Sequence, residues 1–279
     1  MRWSPGGQSP NVEDRRGRGG FGGGMAPMGI GGAVVMLILS LIFGGDIFSG
    51  GDETTGNAGG DVNPPAQETP AEAKEVQFVS FVVDTIQATW ARLLPQMGAQ
   101  YRDAKLVLFR QATPTACGVG QSAMGPFYCP EDEKVYIDLA FYDDLHRRFG
   151  ADGDFAEAYV IAHEFGHHVQ HILGVDQQVR QAQGMDPRAA NPLSVRLELQ
   201  ADCFAGVWAN AAKQDVLEPG DVEEGMNAAA AVGDDRIQKQ TTGRVNGESF
   251  THGSSAQRMT WFRRGYDAGR PEACNTFER

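Results

Sequence analysis

Four histidines and one glutamate fall within YVIAHEFGHHVQH, residues 159–171, set among apolar and small residues. In an α-helix, residues four apart share a face, so His163 and His167 can aim both imidazoles at one ion. Glu164, beside His163, can approach the open side of that ion. His-Glu-x-x-His therefore reads as two zinc ligands and a general base. Zinc lowers the pKa of a bound water toward ~7, and the carboxylate takes its proton as the water attacks a carbonyl. His168 projects ~100° around the helix from His167 and is a poor ligand. His171, four beyond His167, is not excluded by geometry. The HExxHxxGxxH pattern is excluded, because Gln170 stands where it needs Gly and Leu173 where it needs a third His.

A catalytic zinc needs a third protein ligand, with water in the fourth position. SVRLELQADCFAGVWA reads as a helix with Leu197, Ala201, Phe204 and Trp208 on its apolar face, and Glu198 and Asp202 four apart beside it. Two carboxylates on one face of a mostly buried helix are costly unless paired. Glu198 is assigned as the third ligand of one Zn²⁺ per chain. Asp202 is assigned as acceptor for a ligand histidine N–H, which fixes tautomer and ring direction. The competing reading pairs Glu198 with Arg196 or another base at the surface.

These helices need a scaffold. The chain has 279 residues, 41% of them hydrophobic, enough for one good-sized core. Its net charge of −12 disfavours phosphate backbones, so nucleic acid is not an expected partner. Residues 75–94 show helical apolar spacing. KLVLFR and KVYIDLAFY read as strands, the second alternating Val135, Ile137 and Leu139 against Tyr136 and Asp138. A weak helix around DDLHRRFG, the motif helix from Asp154, a loop over 174–192, and helices over 193–213, 222–232 and from Ser254 complete an α+β, mostly helical domain with a small sheet.

Upstream of that domain, residues 1–26 read as a disordered Gly-, Pro- and Arg-rich leader that cannot bury a core of its own. Residues 27–43 carry no charge and reach the ~17-residue lower limit of a bilayer span. A signal peptide and a core helix are the other readings of that stretch. Residues 44–74, rich in Gly, Pro, Thr and acids, read as a flexible linker to a catalytic domain over 75–279. Basic residues before the apolar stretch and acids after it place the N-terminus in the cytoplasm and the domain outside, on a single-pass anchor in the lipid bilayer. Four cysteines in such a domain suggest two disulfides. Cys117 and Cys129 flank a turn-like segment and are paired, which leaves Cys203 with Cys274; free buried thiols are the other possibility.

HEFGH followed by ELQAD resembles the gluzincin-type metallopeptidases. The wider pattern is similar to the YpfJ-like family of neutral zinc metallopeptidases. It comprises the leader with its apolar stretch, ACGVGQSAMGPFYCPEDEKVYIDLAFY, AYVIAHEFGHHVQH, LELQADCFAGVWA and THGSSAQRMTWFRRGYDAG, which together cover nearly the whole chain. The resemblance implies a membrane-anchored zinc peptidase with a zincin-like fold acting on a peptide or protein. It further implies that Val135 to Leu139 runs along the substrate backbone. A late histidine, His252, would stabilise the oxyanion, with Arg258 as helper. Two alternatives stay open: a membrane-tethered zinc-binding or interaction protein without activity, and a hydrolase of a non-protein amide such as cell-wall peptide.

Overall fold

The computed structural model describes residues 1–17, 69–147, 150–151 and 153–278. The expected bilayer segment, 27–43, lies outside them. Among the described residues no helix is long and apolar enough to cross a membrane.

Helix α1 (Pro70–Leu93) begins inside the stretch read as linker. The reason is local: the Thr69 hydroxyl accepts from the Glu72 backbone N–H, the Glu72 carboxylate accepts from the Thr69 N–H, and Pro70 opens the helix. One face of α1 then buries Val76, Val79, Val83, Ile86 and Trp90.

The main sheet has the order β1-β2-β6-β5. β1 (Val12–Asp14), β2 (Lys105–Phe109) and β6 (Lys134–Asp138) run parallel, and β5 (Phe127–Cys129) closes one edge antiparallel to β6. β3 (Ala112–Thr115) and β4 (Gly118–Gln121) form a separate hairpin. Strand β1 corrects the reading of residues 1–26 as wholly disordered. The segment has no core of its own, but it borrows the edge of β2 and a face of α1: Val12 is buried, and Trp3 packs edge-on against Phe78.

β6 is also corrected. Its alternation holds, with Val135 and Ile137 in the main core and Tyr136 packed with Val107, Phe109 and Cys129 in a second cluster on the other face, but both faces are covered and Val135 through Asp138 are all buried. Lys134 to Tyr136 are paired on both sides, by β2 and by β5, so that backbone has no edge to offer a peptide. At its end Asp138 accepts from the Gln111 and Ala140 backbone N–H groups and from the Ser122 hydroxyl, fixing the turn into α2 (Ala140–Arg147).

Then follow α3 (Asp154–Ile172), α4 (Val175–Met185), α5 (Ala190–Ala212), α6 (Asp221–Ala231), α7 (Asp234–Thr242) and α8 (Ser255–Ala268). Helix α4 occupies the expected loop over 174–192. It is polar, and it buries little more than Val179. Stacked Phe155 and Trp208, with Trp90 edge-on to Phe204, lie at the centre of the helical layer. Helices α5 and α8 touch backbone to backbone: a Cβ on Gly206 would overlap the Phe262 carbonyl, and one on Gly265 the Cys203 carbonyl. The cysteines pair as the sequence suggested, Cys117–Cys129 and Cys203–Cys274, and none is free.

Glu75 of α1 and Glu157 of α3 meet beside His146 of α2, whose Nε2 lies 2.8 Å from Glu157 Oε1. Burial, with the charge of Glu157, pushes Glu75 up to about 8, and burial pushes Glu157 to about 7. The folded state therefore holds protons that the unfolded chain releases near 4.5. Stability is full below that value and declines as pH rises toward 8. Glu75→Gln is expected to raise the melting temperature at pH 8 and leave it nearly unchanged at pH 4.5. An equal shift at both pH values would show that the pair does not titrate in this way.

Candidate metal centre

Helices α3 and α5 pass close enough at Gly166, the glycine of HEFGH, that a Cβ there would press on Ala201 at 3.0–3.3 Å. This approach brings His163, His167 and Glu198 together, with one donor atom from each lying within 4.8 Å of the others. His163 Nε2 is 3.1 Å from Glu198 Oε2, and His167 Nε2 is 3.5 Å from Glu198 Oε1. Two bonds of ~2.05 Å at the tetrahedral angle place zinc donors ~3.3 Å apart, so these separations suit one ion. Two imidazoles and one carboxylate form a donor set of the catalytic type, with one position left for water.

Each imidazole is held from behind. His163 Nδ1–H donates to Asp202 Oδ1 at 2.9 Å, the arrangement expected from the four-residue spacing of Glu198 and Asp202. His167 Nδ1–H donates to Gln170 Oε1 at 2.8 Å. The amide of Gln170 in turn donates to the Leu197 carbonyl at 2.7 Å and to Gln200 Oε1 at 3.1 Å, and Gln200 donates to the Cys274 carbonyl at 3.0 Å. Gln170, which excluded the longer histidine motif, is thus the anchor of the second imidazole. Nothing in the sequence pattern marks that role.

Asp202 is fully buried and carries a second load. Arg258 of α8, also buried, donates from Nε to Oδ2 at 2.8 Å and from Nη2 to Oδ1 at 2.9 Å, and the Tyr159 hydroxyl donates to Oδ1 as well. Arg258 is therefore anchored beneath the site, with Nη2 also 3.5 Å from His163 Nε2 and 4.0 Å from Glu198 Oε2. Burial opposes ionisation of Asp202 and Glu198, but Arg258 and His163 outweigh it at Asp202, and the surrounding histidines outweigh it at Glu198. Both carboxyls are held below their ordinary values. Burial alone would lower His163, yet Asp202 and Glu198 carry it up to about 9. The pocket favours positive charge at the point where an ion would sit.

Glu164, 7% exposed, lies among these groups, and burial pushes its carboxyl up against the pull of His167 and His163. Burial lowers the His252 imidazole, but the charges of Glu198 and Asp234 carry it above its ordinary value. Its Nδ1 is 3.3 Å from Asp234 Oδ1, and Asp234 Oδ2 accepts the backbone N–H groups of Thr251, His252 and Gly253. Asp234 was not singled out from the sequence; it sits eighteen residues before His252 in a stretch read as loop. His168 and His171 stand apart from the donor cluster. His168 is buried between the Tyr128 hydroxyl and the Arg102 carbonyl, and His171 Nδ1 is 2.9 Å from Asp176.

A family model described as "Putative neutral zinc metallopeptidase" matches residues 1–277. The Escherichia coli K12 protein YpfJ is 50% identical over 287 aligned positions, covering 99% of each chain. The Mycobacterium tuberculosis H37Rv protein Rv2575 is 48% identical over 207 positions, 70% of this chain and 68% of its own. No solved structure matches the chain.

Proposed function

The chain belongs to the neutral zinc metallopeptidase family, and on that footing we propose that it hydrolyses peptide bonds with a zinc ion held by His163, His167 and Glu198. The observation that carries this reading is the convergence of those three donors with both Nδ1 atoms already engaged. When bound, zinc supplies Lewis-acid polarisation of a carbonyl and a water of lowered pKa. Glu164 accepts the proton of the attacking water and delivers it to the departing amine nitrogen. His252, with Nδ1 held by Asp234, presents Nε2 to the oxygen on which negative charge develops. The sheet edge beside the metal helix is β5, whose Tyr128 packs against His168 and His171 and which could take an extended peptide. A purely structural zinc would be closed by four protein ligands, whereas the cluster here offers three.

The test uses the purified full-length chain: zinc content, and cleavage of a quenched-peptide library before and after chelation. One zinc with chelator-sensitive cleavage supports the reading; one zinc without cleavage of any peptide removes it. Glu198→Ala is expected to lower zinc occupancy under dialysis, and unchanged occupancy would reject Glu198 as a ligand. His252→Ala is expected to keep its zinc and lose about 10²–10³ in kcat, the cost of one oxyanion donor. Full activity in that variant would end its assignment.

A further inference from the structure

Residues 1–17 and 69–278 belong to one folded body. Val12 to Asp14 pair with Leu106 to Leu108, and the ladder is extended by Leu106 N–H to the Asn11 carbonyl and Arg15 N–H to the Leu108 carbonyl, each 2.8 Å. Ser9 donates to Asp84 of α1 at 2.6 Å, and Lys134 of β6 reaches Glu13 at 3.2 Å. Further along, the Arg2 N–H donates to the Val216 carbonyl at 2.7 Å, and its guanidinium donates to the carbonyls of Gln214 and Leu217 at 2.6 and 3.0 Å. Trp3 lies on Phe78 and Phe81. These contacts spread over α1, β2, β6 and the segment after α5, so the first seventeen residues are seated at both Met1 to Trp3 and Ser9 to Arg15, with an exposed stretch between.

A chain whose two flanks share one folded body crosses an intact bilayer an even number of times between them. The apolar stretch 27–43 is about 25 Å long as a helix, enough for one crossing, and two crossings need ~40 apolar residues. We propose that the N-terminal segment and the metallopeptidase domain lie on the same side of the membrane, with the β2 edge and the α1 face serving as the dock for residues 1–17. The charge bias flanking the stretch argues for opposite sides. It acts by steering insertion of loops, and it is set here against a parallel strand pairing, two partly buried polar contacts and an aromatic cluster that a single crossing would break.

The test is labelling of full-length single-cysteine variants in intact cells stripped of outer wall, with a membrane-impermeant maleimide. Ser4→Cys reports the N-terminal segment and Val245→Cys the domain. Both positions are exposed, and the native cysteines are all paired. A second pair, Gly7→Cys and Asp267→Cys, guards against a variant that fails to fold. The expected result is that both members of a pair label before permeabilisation, or both only after it. One member labelling before and the other only after would overturn the proposal.

Discussion

Glu164→Gln is expected to bind zinc as the parent does and to lose at least ~10²–10⁴ in kcat, the ordinary contribution of a general base. The substitution keeps the shape of the side chain at a position only 7% exposed. It leaves His163, His167, Glu198 and both imidazole anchors untouched, so metal content should not change. What it removes is the one carboxylate in the cluster that neither donates to the ion nor is spent on an anchor. Steady-state cleavage of a single quenched peptide, with metal content measured on the same sample, checks both halves. An active Glu164→Gln variant would move the base to another residue. An inactive one lacking zinc would mean that Glu164 serves the ion itself.

Asp202→Ala is expected to damage folding and metal binding together. Arg258 is 3% exposed and donates two of its hydrogen bonds to Asp202. Removing the carboxylate strands a buried guanidinium, a loss of about 3–5 kcal/mol where one partner of a buried pair is deleted. The same change frees His163 Nδ1, and loss of such an anchor typically weakens metal affinity by about 10–100-fold. Urea unfolding of metal-free protein reads the first effect and a competitive zinc titration reads the second. If stability fell while zinc affinity held, Asp202 would be a partner of Arg258 alone. Asp202→Asn, which keeps an acceptor for Nδ1–H but no charge, is expected to retain more affinity than Asp202→Ala.

The candidate donor triad could be sought in the sequence because helical spacing aligns residues four apart on each of its two helices. His163 with His167 and Glu198 with Asp202 are both such pairs. The groups that hold or face the triad were harder to find. Arg258 and Asp234 reach the site through the packing of α8 and the first turn of α7, and no local period encodes that. Gln170 could be seen only as a departure from another motif. Strand β1 was missed because its composition resembles that of disordered chain and its partner strand lies ninety residues on. Helix α4 was missed because its apolar stripe is one valine wide. The start of α1 was misplaced because a linker-like composition conceals a capping box. The alternation of β6 was legible, but not that a second cluster around Tyr136 covers its other face or that β2 and β5 take both of its edges.

The chain of amides from His167 through Gln170 and Gln200 to the Cys274 carbonyl, with the Asp202 clamp on His163, gives the centre its rigidity before any ion arrives. The entropy of fixing two rings is lost during folding, so capture of the ion should cost little reorganisation and be governed by stripping its water. Folding and metal capture then draw on the same contacts. Loosening the last turn at Cys274, which the disulfide to Cys203 holds in place, should be felt at the imidazole as a faster metal off-rate together with a lower melting temperature.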